Sequence, residues 1–293
     1  MNLSSRLYEV ILILSFIGLW LAIQIPKELE INVGYFLILS IGVGHGANDL
    51  KIYFKNKNLP LSKSILFISI YAAAVIAGFI AFFIIPDIVL ALFLIVSGFH
   101  FGQEHFERYS LKSSISKTLF ITTYGLSIIM ALLYLNSTYS LSIIHDLIHS
   151  TITLSYLKWT FYILAVTTLL LGIIVLNKVA ITHLLKEILY LIVIYIIFAS
   201  SSLIWGFTIY FILWHSIPSI YHQIDHLQGA VNKRAIIQYV KSSILFWITA
   251  LLFLGVLYYF LNEKTVLFLS VIVAFLGGIT FPHVFVMHGI HKK

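Results

Sequence analysis

Long apolar runs, cut at intervals by short clusters of charged residues, proline or asparagine, recur from one end of the chain to the other. Each is about 18 residues or longer, enough for a helix to cross the hydrocarbon core of a bilayer. The runs predict ten spanning helices, near 7–25, 32–50, 64–85, 87–106, 117–135, 157–176, 184–200, 203–226, 242–261 and 265–288. Only Ser200, Ser201 and Ser202 separate the seventh run from the eighth. Short segments of alternating polarity, the mark of a membrane β-barrel, are not seen. The first run follows a single cation, Arg6, and shows no small-residue cleavage site before Lys27, so it is expected to be a retained helix rather than a signal peptide. The longest connection, 136–156, carries His145, Asp146 and His149 and is expected to lie along the outer membrane surface. The pattern predicts an all-α, polytopic membrane helical bundle, with 1–293 as a single transmembrane domain.

Composition sharpens this reading. Of the 293 residues, 60% are hydrophobic and 10% charged, with a mean hydropathy of +1.02. A soluble domain carries about a quarter charged residues. Cysteine is absent, which excludes disulfides, thiolate metal sites, iron–sulfur clusters and thiol nucleophiles.

The net charge of +7 would suit a nucleic acid or an acidic membrane surface, and the positions of the cations decide between them. With the N-terminus in the cytoplasm and ten spans, 15 of the 18 Lys and Arg residues fall inside. Lys27, Lys158 and Lys264 alone fall outside, while Lys178, Lys292 and Lys293 are among those inside. Such a split is the positive-inside pattern, with both termini cytoplasmic. The charge reflects topology and lends nothing to a nucleic-acid role. A cell inner membrane is the expected location.

Ionisable residues within spans are costly and are functional candidates by default. Among the 12 histidines, His45, His100, His215 and His283 lie in four different even-numbered spans. His45, His100 and His283 are late in spans that run from outside to inside, which puts them at similar depth in the cytoplasmic half. His215 is deeper, or its helix extends or bends near Pro218. Imidazoles from several helices at one level are how a helical bundle builds a metal site, and imidazole suits iron, copper, zinc or nickel. Asp49 and Glu104 each follow a histidine by four residues, so each shares that histidine's helix face and could orient a metal-bound ring. Gly42, Gly44, Gly46, Gly98 and Gly102 flank the same histidines and would let helices approach closely. A lone histidine near a helix end is more often an interfacial residue than a ligand, and the glycines could serve packing alone. His145, His149, His183 and His291 read as loop or interfacial residues.

At these positions the sequence resembles the bacterial Brp/Blh family of membrane β-carotene 15,15′-dioxygenases. The matching elements are His45-Gly46-Ala47-Asn48-Asp49, His100-Phe101-Gly102, His215-Ser216 and Pro282-His283, in the family's order. The resemblance implies oxidative cleavage of the central double bond of β-carotene with O₂, giving two retinal molecules at an Fe(II) centre held by histidines. It implies His45, His100 and His215 as ligands. The family's further histidine, four residues after the third, is replaced here by Ser219, so His283 or His222 would complete the set, with His283 favoured. The family's acidic residue after His-Phe-Gly-x-x is likewise replaced, by His105, beside Glu104. Phe99, Phe101, Phe106, Trp214 and Tyr221 lie near these positions and are the candidates for lining an apolar substrate tunnel. β-Carotene dissolves in lipid, so an enzyme within the bilayer could take it sideways from the membrane. The sequence says nothing about oligomeric state.

Other functions weigh less. Di-iron membrane desaturases carry clustered His-x-x-His-His boxes, absent here. A retinal-binding photoreceptor needs a lysine deep in a helix, and every lysine lies at or near a loop. A metal-ion transporter would place acidic residues along its path, and the 11 Asp and Glu sit mostly near loops. A carotenoid-binding protein without turnover stays open, since the tunnel could persist without chemistry.

Overall fold

The computed structural model describes residues 3–290 except 56, 58, 110, 149, 178 and 262–264. His149, His291, Lys178, Lys264, Lys292 and Lys293 therefore lie outside the described residues. The described residues form helices joined by short turns, with no strand among them. In order these are α1 (Leu3–Gln24), α2 (Lys27–Leu37), a π-helical segment (Ile38–Gly42), α3 (Asp49–Phe54), α4 (Leu61–Ile84), α5 (Pro86–Phe106), α6 (Ile115–Leu135) and α7 (Ser137–Leu147). They continue with α8 (Leu154–Val175), α9 (Ile181–Ser200), α10 (Leu203–Ile209), a second π-helical segment (Tyr210–Ser216), α11 (Ile217–Gln228), α12 (Lys233–Leu261) and α13 (Thr265–Ile290).

Among the described residues nine helices are long and apolar enough to cross a membrane, one fewer than the pattern predicts. The missing one is 32–50. There α2 passes into the first π-helical segment, and residues 45–48 leave the helix altogether before α3 begins at Asp49. Gly42, Gly44 and Gly46 weaken helix at this point, where hydrophobicity alone suggests continuity. The weak break at the three serines is real. Ser202 caps α10, its side chain accepting from Trp205 N. The long connection contains α7.

The chain divides into two compact units. One comprises the chain up to Ile38 with Ser97–Leu141 and Ile152–Pro218. In it α6 packs along α8, α1 against α9, and α10 against α2. The end of α5 touches α6 backbone to backbone. A Cβ built on Gly102 would fall 1.9 Å from the Ile121 carbonyl oxygen, and one on Gly125 1.9 Å from that of Gly98. Small residues four apart permit such an approach.

The other unit comprises Leu39–Val96, Ser142–Thr151 and the chain from Ser219 onward. Here α13 packs along α4 and is also met by α3 and α12. Met287 and Val286 of α13 bury against Ile52 of α3. On both units large apolar side chains stand outward, such as Ile173 at 73% exposure and Leu245 at 70%. Helices of this length with such faces are stable in lipid, where apolar exposure carries no penalty. This is an all-α, multi-pass membrane protein.

Candidate metal centre

In the second unit the break after the first π-helical segment presents His45, and α13 presents His283 just after its internal Pro282. Both rings are buried, with centroids 4.8 Å apart and planes at 88°. Ring nitrogens of the two lie within 4.8 Å of one another. His283 Nδ1 lies 2.9 Å from each carboxylate oxygen of Asp49. A carboxylate only accepts, so Nδ1 carries the proton and Nε2 keeps its lone pair. His45 Nδ1 meets the carbonyl oxygen of Gly42, and the same reasoning leaves its Nε2 with the lone pair. Both rings are thus held in the tautomer that ligates through Nε2, by partners of the kind that orient metal-bound histidines. Asp49 shares a sequence neighbourhood with His45 but holds His283. Tyr71 of α4 donates to Asp49 Oδ2 at 2.6 Å and steadies the carboxylate from behind.

In the first unit His100, late in α5, and His215, in the second π-helical segment, form another buried pair. Their centroids are 4.7 Å apart and their planes at 78°. Phe211 stacks parallel on His215 at 5.7 Å, and Phe101 lies 4.5 Å from it at a tilt. These rings keep water from the imidazole. Within the second unit His45 and His283 could each offer a ring nitrogen to a metal. A donor set of imidazole nitrogens, without cysteine, fits a first-row transition metal such as iron and does not fit magnesium or calcium.

The expected substrate residues each have their own neighbours. Phe101 touches His215, whereas Trp214 turns to Tyr8 and Tyr190 and donates its Nε1–H to Ser15 Oγ at 3.0 Å. Tyr221 lies edge-on to His222. Phe99 is half-buried, and Phe106 packs against Phe120 and Tyr124. Glu104 is fully buried on α5. Ser219, where the family resemblance leads one to expect a histidine, is fully buried, and its Oγ accepts from Gln223 Nε2 at 3.1 Å. Of His283 and His222, His283 is the one whose ring lies beside His45.

Sequence reasoning missed a buried ionic cluster in the first unit. Glu187 of α9 accepts from Arg108, from Tyr109 OH at 2.6 Å and from His105 Nε2 at 2.7 Å. The Arg108 guanidinium lies 3.7 Å over the Tyr8 ring. Burial works against the charge on Arg108, but Tyr8, Glu187 and Tyr109 around it hold its pKa above the ordinary value. Burial and the Glu187 carboxylate push the Tyr109 phenol up. The signal in the sequence is Glu187 itself, a carboxylate inside an apolar run.

The fold and these histidines define a class: a polytopic helical membrane protein with buried, tautomer-fixed imidazoles suited to a transition metal. A family model described as beta-carotene 15,15'-dioxygenase matches residues 36–291, nearly the whole chain. The chain belongs to that family, whose name is that of an oxygen-using enzyme acting on β-carotene. No curated protein and no solved structure matches the chain.

Proposed function

We propose that this protein cleaves the central double bond of β-carotene with O₂, giving two molecules of retinal, within the cell inner membrane. His45, His100, His215 and His283 are the residues that would hold the Fe(II) on which the reaction would depend. One observation carries the assignment of the ligands: each of the four histidines that the sequence singles out is buried, and each lies edge-on to another of the four. Iron bound by them would supply a site at which O₂ is activated toward an electron-rich polyene.

The chain's own residues do the rest. Asp49 and the Gly42 carbonyl hold the protons on Nδ1 of His283 and His45, so that Nε2 would be the atom offered to the metal. Phe101 and Phe211 shield His215 and offer apolar surface to a hydrocarbon. One β-carotene and one O₂ balance against two retinals, so neither a proton donor nor a leaving group is required. That agrees with the absence of an acid–base pair from the assigned residues.

Expression in cells that accumulate β-carotene tests the proposal. The expected result is bleaching with retinal formed, and neither in His45→Ala or His100→Ala strains, whose purified proteins also lose iron. Full activity in both variants would overturn the ligand assignment. Unchanged β-carotene, with the protein in the membrane and iron supplied, would favour carotenoid binding without turnover, or transport of the metal.

A further inference from the structure

A helix that breaks inside a membrane frees carbonyl oxygens that water cannot reach, so protein groups must satisfy them. The break at 45–48 does this in two ways. Shorter i→i+3 bonds take the carbonyls of Val43, Gly44 and Gly46, each at 3.2 Å. Side chains take others. Trp247 Nε1 donates to Ser40 O at 2.7 Å, and Gln223 Nε2 donates to His45 O at 2.9 Å.

Gln223 is fully buried on α11, and each of its amide positions has a role. A carbonyl oxygen can only accept, so the amide nitrogen must face His45 O. Its second hydrogen goes to Ser219 Oγ at 3.1 Å. Its oxygen accepts from Tyr239 OH at 2.7 Å. The Tyr239 hydroxyl has one hydrogen, and its 3.4 Å separation from His45 O makes Gln223 the better acceptor. Tyr239 thus fixes which way the amide faces, and the amide fixes the backbone of His45. Residues 45–47 lack the i→i+4 ladder, which resumes only where Asn48 O accepts from Ile52 N at 3.0 Å.

We propose that Gln223, aligned by Tyr239, is a positioning residue for His45: it holds the histidine's backbone so that the ring approaches the metal in one orientation. This rests on His45 being a metal ligand. Asn48 braces the same turn by bonds that do not involve the Gln223 amide, its Nδ2 donating to Tyr239 O at 3.2 Å and its Oδ1 accepting from Ser242. Ser242 therefore steadies the turn without touching His45, which supplies a control.

The test is Co²⁺ binding to the purified, metal-stripped protein in detergent, followed by the visible absorption bands that report ligand number and geometry. Gln223→Leu keeps the volume and removes the donor. It is expected to weaken Co²⁺ binding by about ten-fold or more, the usual effect of losing a group that orients a ligand, and to shift the bands. Tyr239→Phe is expected to act in the same direction by a smaller factor, while Ser242→Ala leaves affinity and bands as in the wild type. If Gln223→Leu does not accumulate, Tyr239→Phe carries the test. Wild-type affinity and bands in Tyr239→Phe, or in a folded Gln223→Leu, would overturn the proposal. Equal changes in Ser242→Ala would overturn it too, since the effect would then belong to the turn as a whole. A wild-type protein that binds no Co²⁺ would remove the metal centre itself, and the proposal with it.

Discussion

Glu187→Ala is expected to lower the stability of the protein by about 3–5 kcal/mol, the range for removing one partner of a buried ion pair. The magnitude follows from what is left behind. Glu187 is buried and is the acceptor for Arg108, Tyr109 and His105 together, so its loss strands a guanidinium and weakens the anchorage of two further groups. In an apolar interior a stranded charge is the most expensive of these. Unfolding by denaturant titration in detergent measures the loss directly. The double variant Arg108→Met/Glu187→Leu should regain most of it, because an apolar pair of similar volume often replaces a buried ion pair without penalty. A single variant as stable as the wild type would show that the cluster does not brace α5 against α9.

Gly102→Ala and Gly125→Ala should each reduce turnover by about a hundred-fold, the scale on which a displacement of about 1 Å acts on a positioned reaction. At either site the new methyl would fall 1.9 Å from a carbonyl oxygen of the facing helix. Backbone cannot rotate away as a side chain can, so α5 must move off α6. His100 rides on α5, between Gly98 and Gly102, and would be carried away from His215. Overpacking of this kind also destabilises by about 1–3 kcal/mol. Gly255→Ala is the comparison, because among the described residues nothing lies within 4 Å of the Cβ it would gain. Its turnover should match the wild type. Retinal formation rates at matched protein levels decide the matter, and equal rates in all three variants would show that the close approach of α5 and α6 does not matter to the site.

Both predictions concern groups unequally visible in the sequence. The spans are legible because lipid imposes one rule on every residue that faces it, and a run of apolar residues records that rule locally. Hydrophobicity is blind to the break at His45, since glycine, valine and alanine score as apolar whether the backbone is helical or not. The four histidines stand out for a similar reason: a polar ring in an apolar run is a local anomaly. Their partners are not local. Gln223 lies 178 positions from His45, and Asp49 lies 234 from His283. Position on one helix face suggests Asp49 as a partner for His45, and α13 brings His283 to it instead. Glu187 shows as a carboxylate inside an apolar run, but its partner Arg108 looks like an ordinary charge near a helix end until α9 and α5 are seen together. Ser219 shows the same limit from the other side. A missing histidine can be read from the sequence, but not that the serine in its place is bonded to Gln223.

The two π-helical segments bear on how this chain compares with others. An i→i+5 turn holds one residue more than the α-helical turn it replaces. Each segment thus fits one extra residue into an apolar helix, one leading into His45 and the other carrying His215. Relatives that lack such a segment would be one residue shorter at that point, in the middle of a span rather than in a loop. An alignment that forbids gaps inside helices would then slip by one position and pair these histidines with their apolar neighbours. A residue would seem to have been lost where only the winding of the helix had changed.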